Sequence, residues 1–452
     1  MSEPTKRINL CLAHMSADGV EQRYIRKAFD DEYVVPMGPN VAEFEGLLEK
    51  FVDQGHSLGH KVAALSSGTA AVHLALKMAG VGPGDEVCVQ SFTFCASSNP
   101  ITYLGAKPVF IDSEPDTWNI NPDLLEVAVR DRFRKTGKYP KAIVPVALYG
   151  MPYRIDRIMA IAGKYGIPVI EDSAESLGSK YDGQMLGTFG RYGVLSFNGN
   201  KMITTSGGGA LICRDSEDKD NVVYFATQAR TGYSYYHHKD IGYNYRLSNV
   251  CAGIGIGQMT VADAHIAHHR HVQGLYEELL AGVRGVHVHC QPQDGHFDSN
   301  YWLSVITLDD DVKVVGQDNV YKELKTKAVG VSSVFCTPDM PVTDCQPNDN
   351  VEAMREFMDR ENIETRPAWK PMHKHPVYCE GAVEVPLAAE SGDADGCGFG
   401  PDVRCIEGPK MAAYVNGVSE SLFKVGLCLP AGPCVTDDDV KRIVECIRRA
   451  II

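Results

Sequence analysis

The sequence predicts an α/β protein: a mostly parallel sheet with helices on both faces, followed by a second, smaller unit. Two observations carry this. Its 452 residues are long for one domain and comfortable for two, and a composition 44% hydrophobic and 23% charged fits a globular protein with a large core. From Lys61 to Asp215, short apolar runs of strand length alternate with helical stretches, the pattern of strand–helix–strand units.

In chain order, "DGVEQRYIRKAFDDEYV" and "GPNVAEFEGLLEKFVD" carry helical patterns before the alternation begins. "KVAAL" reads as a strand and "TAAVHLALKMAG" as a helix; "DEVCVQS" and "AKPVFID" read as strands. "KAIVPVAL" is a strand, and "YRIDRIMAIAGKYG" is a helix closed by Gly166. "IPVIED", "YGVLSFN" and "GGALICRD" complete the strand set. Residues 231–248 are rich in Tyr, His and Gly without clean periodicity. One helical stretch, "AGIGIGQMTVADAHIAHHRHVQGLYEELLAGV", follows. The domain boundary is expected near its end: a large domain over 1–275 and a smaller one over 276–452. The latter has a strand at "YWLSVITLD", a final helix at "TDDDVKRIVECIRRAI", and surface insertions near 313–350 and 385–410.

The formal net charge of -14 argues against sequence-independent nucleic-acid binding, which needs basic surface. No apolar run approaches the roughly 20 residues that span a bilayer, and the first residues carry no apolar stretch of signal-peptide length. No membrane insertion and a cytoplasmic location are therefore expected. The 14 cysteines show no CxxC spacing, and several, such as Cys88 and Cys213, sit in apolar runs; they read as reduced core residues. His265 and His269 stand one turn apart in "HIAHHRH", but no carboxylate completes a HExxH set, so no metal site is expected. A dinucleotide fingerprint, a Walker loop and a GxSxG elbow are all missing.

Ligands of parallel sheets bind beyond the carboxyl ends of the strands. Several residues fall there. Gly68 and Thr69 lie between a strand and a helix, where free N–H groups make an anion site; alone they read equally as an ordinary helix start. Asp172 ends "IPVIED" and would otherwise be a helix cap. Phe94 follows another strand, as a ring for a flat ligand or as a core aromatic. Ser196 ends "YGVLSF". Lys201 lies in "SFNGNKMITTSGGG", and by itself reads as a solvated lysine. Jointly they describe the needs of pyridoxal 5′-phosphate. A phosphate would sit on Gly68, Thr69 and Ser196, the ring on Phe94, and the ring nitrogen on Asp172. Lys201 would form a Schiff base with the aldehyde.

The motifs "SSGTAAVHLAL", "SFTFCASSNPITYLGAKPVFID", "PVIEDSAESLGS", "SFNGNKMITTSGGG", "IGYNYRLSNV" and "RPAWKPMHKHPVY" together resemble the DegT/DnrJ/StrS sugar-nucleotide aminotransferases. The resemblance runs from about His14 to Leu308 and from about Asn350 to the C-terminus. It implies the type I pyridoxal-phosphate-dependent transferase fold, with a seven-stranded, mostly parallel sheet in the large domain and a smaller α+β C-terminal domain. It implies Lys201 as catalytic residue, with Gly68, Thr69, Phe94, Asp172, Glu175, Ser196 and Asn244 as cofactor contacts. Asn244 would reach the phosphate of a neighbouring subunit, which implies a homodimer with shared active sites. Glu175 stands where many relatives have His or Gln. Arg246 is a candidate substrate contact as a local base for the nucleotide diphosphate, and His373 reads either as a contact to the sugar nucleotide or as a structural residue. The motifs are most similar to a bacillosamine-pathway subgroup, which implies a UDP-linked 4-keto-6-deoxy sugar and glutamate as partners. A GDP- or dTDP-sugar aminotransferase such as a perosamine synthase is the alternative within the family, and a non-catalytic sensor or scaffold the alternative outside it.

Overall fold

The computed structural model describes residues 6–54, 56, 58–321, 345–388 and 403–452. Helices Val20–Asp30 and Pro39–Val52 open the chain and pack on helix Asn249–Met259. The "GIGIG" run explains how closely they meet. A Cβ on Gly255 would lie 2.7 Å from the Phe44 ring, and one on Gly257 2.6 Å from Glu21.

Seven strands form the central sheet: β1 (Lys61–Leu65), β2 (Glu86–Gln90), β3 (Lys107–Ile111), β4 (Ala142–Val144), β5 (Ile170–Asp172), β6 (Tyr192–Ser196) and β7 (Gly209–Cys213). Across the sheet they run β1-β7-β6-β5-β4-β2-β3, with β4 and β5 joined by the bridges Ile143–Val169 and Val146–Asp172. All are parallel except β7, which is antiparallel to β1 and β6. Apart from end residues every strand position is buried, as a sheet covered on both faces requires. This is the type I fold that the motifs implied. Because six strands are parallel, their carboxyl ends share one edge, and the site lies along it.

The long helical stretch expected after residue 250 is two helices, Asn249–Met259 and Ala262–Leu280. Thr260 ends the first: its hydroxyl donates to the Gly257 carbonyl at 2.6 Å, competing with the helical ladder. Beyond it lie β8 (Val286–Val288), β9 (Ser304–Leu308), β10 (Arg366–Pro367), β11 (Val383–Val385), β12 (Arg404–Glu407), β13 (Ala412–Val415) and β14 (Gly426–Leu429). Four of these form an antiparallel sheet in the order β8-β9-β14-β10, covered by helices including Ala262–Leu280 and Asp437–Ala450. The final helix starts at a capping box, Thr436 with Asp439.

The remaining three strands depart from a simple division at residue 275. β13 pairs in parallel with β3, and β12 and β11 follow outward, so this part of the C-terminal chain extends the large sheet. Arg132 fastens it, paired with Glu86 at 2.7 Å and with Glu407 on β12. Asp131, Cys405 and Glu407 come close enough to resemble a metal cluster. Lys135 occupies that place instead, 2.9 Å from Asp131 and 3.0 Å from Glu407. Of the two expected insertions, residues 322–344 and 389–402 lie outside the described residues.

Candidate active site

Asp172 is the last residue of β5 and is buried. Ser97, in the short helical turn after Phe94, donates to its Oδ2 at 2.6 Å, and the Ala174 N–H donates to Oδ1 at 3.2 Å. Burial pushes the Asp172 carboxyl above the usual range, while Ser97, the Ala174 N–H and the charge on Lys201 pull it back. Ser97 uses its only proton on Asp172, so the 2.8 Å contact between the Thr93 and Ser97 hydroxyls has Thr93 as donor. The carboxylate is thus held by a two-hydroxyl relay.

Lys201 lies in the return between β6 and β7. Its Nζ stands 3.4 Å from Glu175 Oε1 and 4.2 Å from the centre of the Trp302 ring. The Tyr149 N–H donates to Glu175 Oε2 at 2.7 Å. Burial raises the Glu175 pKa, Lys201 and Tyr149 lower it, and the Asp172 charge raises it again.

Gly68 begins the helix that follows β1. In the first turn the Ala70 N–H is taken by the Ser67 hydroxyl at 3.0 Å, while the N–H groups of Gly68 and Thr69, at the helix start, have no acceptor within the helix. Gly209 of β7 pairs with both Leu65 and Ser196, which brings the ends of β1 and β6 together. A Cβ on Gly68 would lie 3.0 Å from Ser196 Cβ and 3.2 Å from its Oγ. The cradle is therefore one that only glycine leaves open. Its donor set, a helix N-terminus with an adjacent hydroxyl, suits a phosphate dianion.

Phe94 is 61% exposed, so it is not the core aromatic that its composition also allowed. Asn244 is exposed in the segment after residue 231, its Oδ1 accepting from Gln228 at 3.1 Å. Two expected substrate contacts take other partners. Arg246 is bound to Glu45 at 2.6 Å and to the Ala64 carbonyl at 2.9 Å, bracing β1 against helix Pro39–Val52. His373 is buried, with Nδ1 2.6 Å from the Ser91 hydroxyl and Nε2 3.2 Å from Glu420. Both ring nitrogens are occupied, so this histidine ties the end of β2 to helix Val418–Val425 instead of facing a ligand. His265 and His269 likewise meet backbone carbonyls, of Met202 and Tyr301.

Three residues enter the site without having been expected: Ser97, Tyr149 and Trp302. Tyr149 adopts a left-handed conformation, φ 56° and ψ 15°, which aims its N–H at Glu175. Ser97 lies within the quoted "SFTFCASSNP" motif, so the signal was present. Tyr149 and Trp302 act through tertiary contacts alone.

The profile of the DegT/DnrJ/EryC1/StrS aminotransferase family matches residues 16–344. The chain is 40% identical to EpsN of Bacillus subtilis, named a pyridoxal phosphate-dependent aminotransferase, over 97% of this chain and 95% of that protein. It is 33% identical to the GDP-perosamine synthase of Escherichia coli O157:H7, over 83% of this chain and 89% of that one. A crystal structure of a DegT DnrJ EryC1 StrS aminotransferase from Brucella abortus superposes with TM-score 0.75 at 25% identity, covering 96% and 95% of the two chains. The chain therefore belongs to the DegT/DnrJ/EryC1/StrS family and is a pyridoxal phosphate-dependent sugar-nucleotide aminotransferase.

Proposed function

We propose that the enzyme moves an amino group from glutamate to C4 of a nucleotide-linked 4-keto-6-deoxy sugar, with Lys201 as the cofactor-bearing lysine. The observation that carries this is the buried Asp172 carboxylate, held by Ser97 on the same strand edge as Lys201 and the Gly68–Ser196 cradle. When bound, pyridoxal phosphate supplies an aldehyde for the amine and a ring that takes up the electron pair left at carbon. Gly68, Thr69 and Ser196 would hold its phosphate, Asp172 would partner its ring nitrogen, and Phe94 would cover the ring. In the first half-reaction Lys201 Nζ would take the α-proton of glutamate and pass it to the cofactor's C4′; in the second it would take a proton back from C4′ and deliver it to C4 of the sugar.

Asn244 serves the site of a second copy of the chain. Its exposure supports this, as do the solvent-facing Tyr233, Tyr235, Tyr236 and Ile241 nearby, a large apolar surface for a monomer to leave open. The nucleotide is read as UDP, with a 2-acetamido-2,6-dideoxy-4-keto sugar, on the strength of the motif resemblance. GDP is the second reading, supported by the relative named GDP-perosamine synthase.

The test is the visible spectrum of the protein before and after glutamate. Colour that bleaches with glutamate and returns with a keto sugar supports the reading, and the return rates with UDP-, GDP- and dTDP-linked substrates rank the nucleotides. Lys201→Ala should abolish turnover, and retained transamination would refute the role of Lys201.

A further inference from the structure

The surroundings of Lys201 are more elaborate than attachment of a cofactor demands. On one side stands Glu175, buried, with Oε2 fixed by the Tyr149 N–H and Oε1 aimed at the lysine. On the other lies the indole face of Trp302, 2% exposed. A carboxylate and an indole face both attract an ammonium away from water.

Both walls are built. The Trp302 indole N–H donates to the Asn200 carbonyl at 2.7 Å, which locks the ring to the residue before Lys201. Asn300, fully buried, donates through Nδ2 to the backbone carbonyls of Glu175 and Leu177, both at 3.0 Å, and accepts through Oδ1 from the Trp302 backbone N–H at 2.9 Å. One side chain therefore sets the spacing between the carboxylate wall and the indole wall. Tyr149 is braced too, its hydroxyl accepting from the Trp369 N–H at 2.9 Å. Its left-handed backbone, uncommon for a residue with a side chain, persists where its N–H meets Glu175.

We propose that Glu175 and Trp302 form a holding site for the released Lys201 ammonium, keeping it aimed at the reacting centre while it carries a proton from one carbon to another within each half-reaction. This rests on the reading of Lys201 as the cofactor-bearing lysine. Once freed as an amine, Nζ takes a proton from one carbon and gives it to another within each half-reaction, so it is an ammonium only in between. A lysine loose in solvent would lose its aim in that interval; one clamped between Oε1 and the indole keeps it. Glu175 and Trp302 are positioning residues, acting through Lys201. The other titratable groups facing this place are Asp172, which feels the Lys201 charge, the buried thiol of Cys11, and Cys428 and Tyr149 beside Glu175. Burial holds both thiols and the Tyr149 phenol neutral, so none of them adds a charge beside the ammonium.

The experiment uses the full-length protein. Acetic anhydride labels neutral amines, so the labelling rate of Lys201 in the apoprotein at pH 8, read by mass spectrometry against surface lysines, reports how firmly its proton is held. Glu175→Gln should raise that rate about tenfold, the effect of removing one close opposite charge. Glu175→Asp should fall between, and Trp302→Phe should raise the rate severalfold with the carboxylate in place. In holoenzyme of full cofactor content, Glu175→Gln should slow recovery of colour with the keto sugar at least tenfold. A Lys201 labelling rate within twofold of wild type in both Glu175→Gln and Trp302→Phe would overturn the proposal; should Glu175→Gln misfold, Glu175→Asp and Trp302→Phe decide it by the same measure. Wild-type protein that never bleaches with glutamate would instead refute the assigned role of Lys201, while the apoprotein labelling still scores the holding site.

Discussion

Ser97→Ala tests the site at its most buried point. The change removes a hydroxyl and adds nothing, so packing is nearly kept. It deletes the 2.6 Å bond to Asp172 Oδ2 and leaves the carboxylate with the 3.2 Å Ala174 N–H. A hydrogen bond to a charged group contributes roughly 1.5–3 kcal/mol. Without it the charged form of Asp172, already disfavoured by burial, is disfavoured further. Asp172 then offers less to a protonated ring nitrogen, and cofactor affinity should fall about 10- to 100-fold. The assay is titration of apoprotein with pyridoxal phosphate at pH 7.5, followed by absorbance. Thr93→Val, which removes only the donor to Ser97, should weaken binding severalfold in the same direction. If Ser97→Ala binds within twofold of wild type, Asp172 is not the partner of the ring nitrogen and the reasoning fails.

Cofactor affinity should decline as pH falls through the pKa of Asp172. Because burial raises that pKa, the decline should begin at higher pH than for an exposed aspartate, and Asp172→Asn should abolish both affinity and its pH dependence. Gly68→Ala places a methyl 3.0 Å from Ser196 Cβ; a titration with pyridoxal phosphate should show about tenfold weaker binding. Its melting temperature should be little changed, since alanine suits a helix at least as well as glycine does. Glu420 is held down to about 2, chiefly by its bond to His373. A depressed carboxylate adds stability above its unfolded value and loses it on acidification, so acid denaturation between about pH 4.5 and 2 should be shallower in Glu420→Gln. His373→Ala should lower the melting temperature while leaving substrate KM nearly unchanged, because both ring nitrogens already hold protein groups.

What the sequence determined by itself was local or periodic. The strand runs, the helix after β1 and the final capped helix follow from hydrophobic period and end signals, which neighbouring residues set. The residues at the strand ends were legible for the same reason: once the sheet is parallel, Asp172, Ser196 and Gly68 must share an edge. The motif resemblance extended this to Glu175 and Asn244. Tertiary structure alone decided the rest. That β13 joins β3 depends on a pairing between residues about 300 positions apart, to which no local pattern points. Arg246 and His373 were candidate substrate contacts because charge and ring nitrogens are visible in a sequence while their partners, Glu45, Ser91 and Glu420, are not. Trp302 and Asn300 enter the site from the segment just before β9, brought to Lys201 and Glu175 by tertiary packing alone. A side chain's chemistry is written in its type, but what it acts on is fixed by burial and distance, and those exist only once the chain has folded.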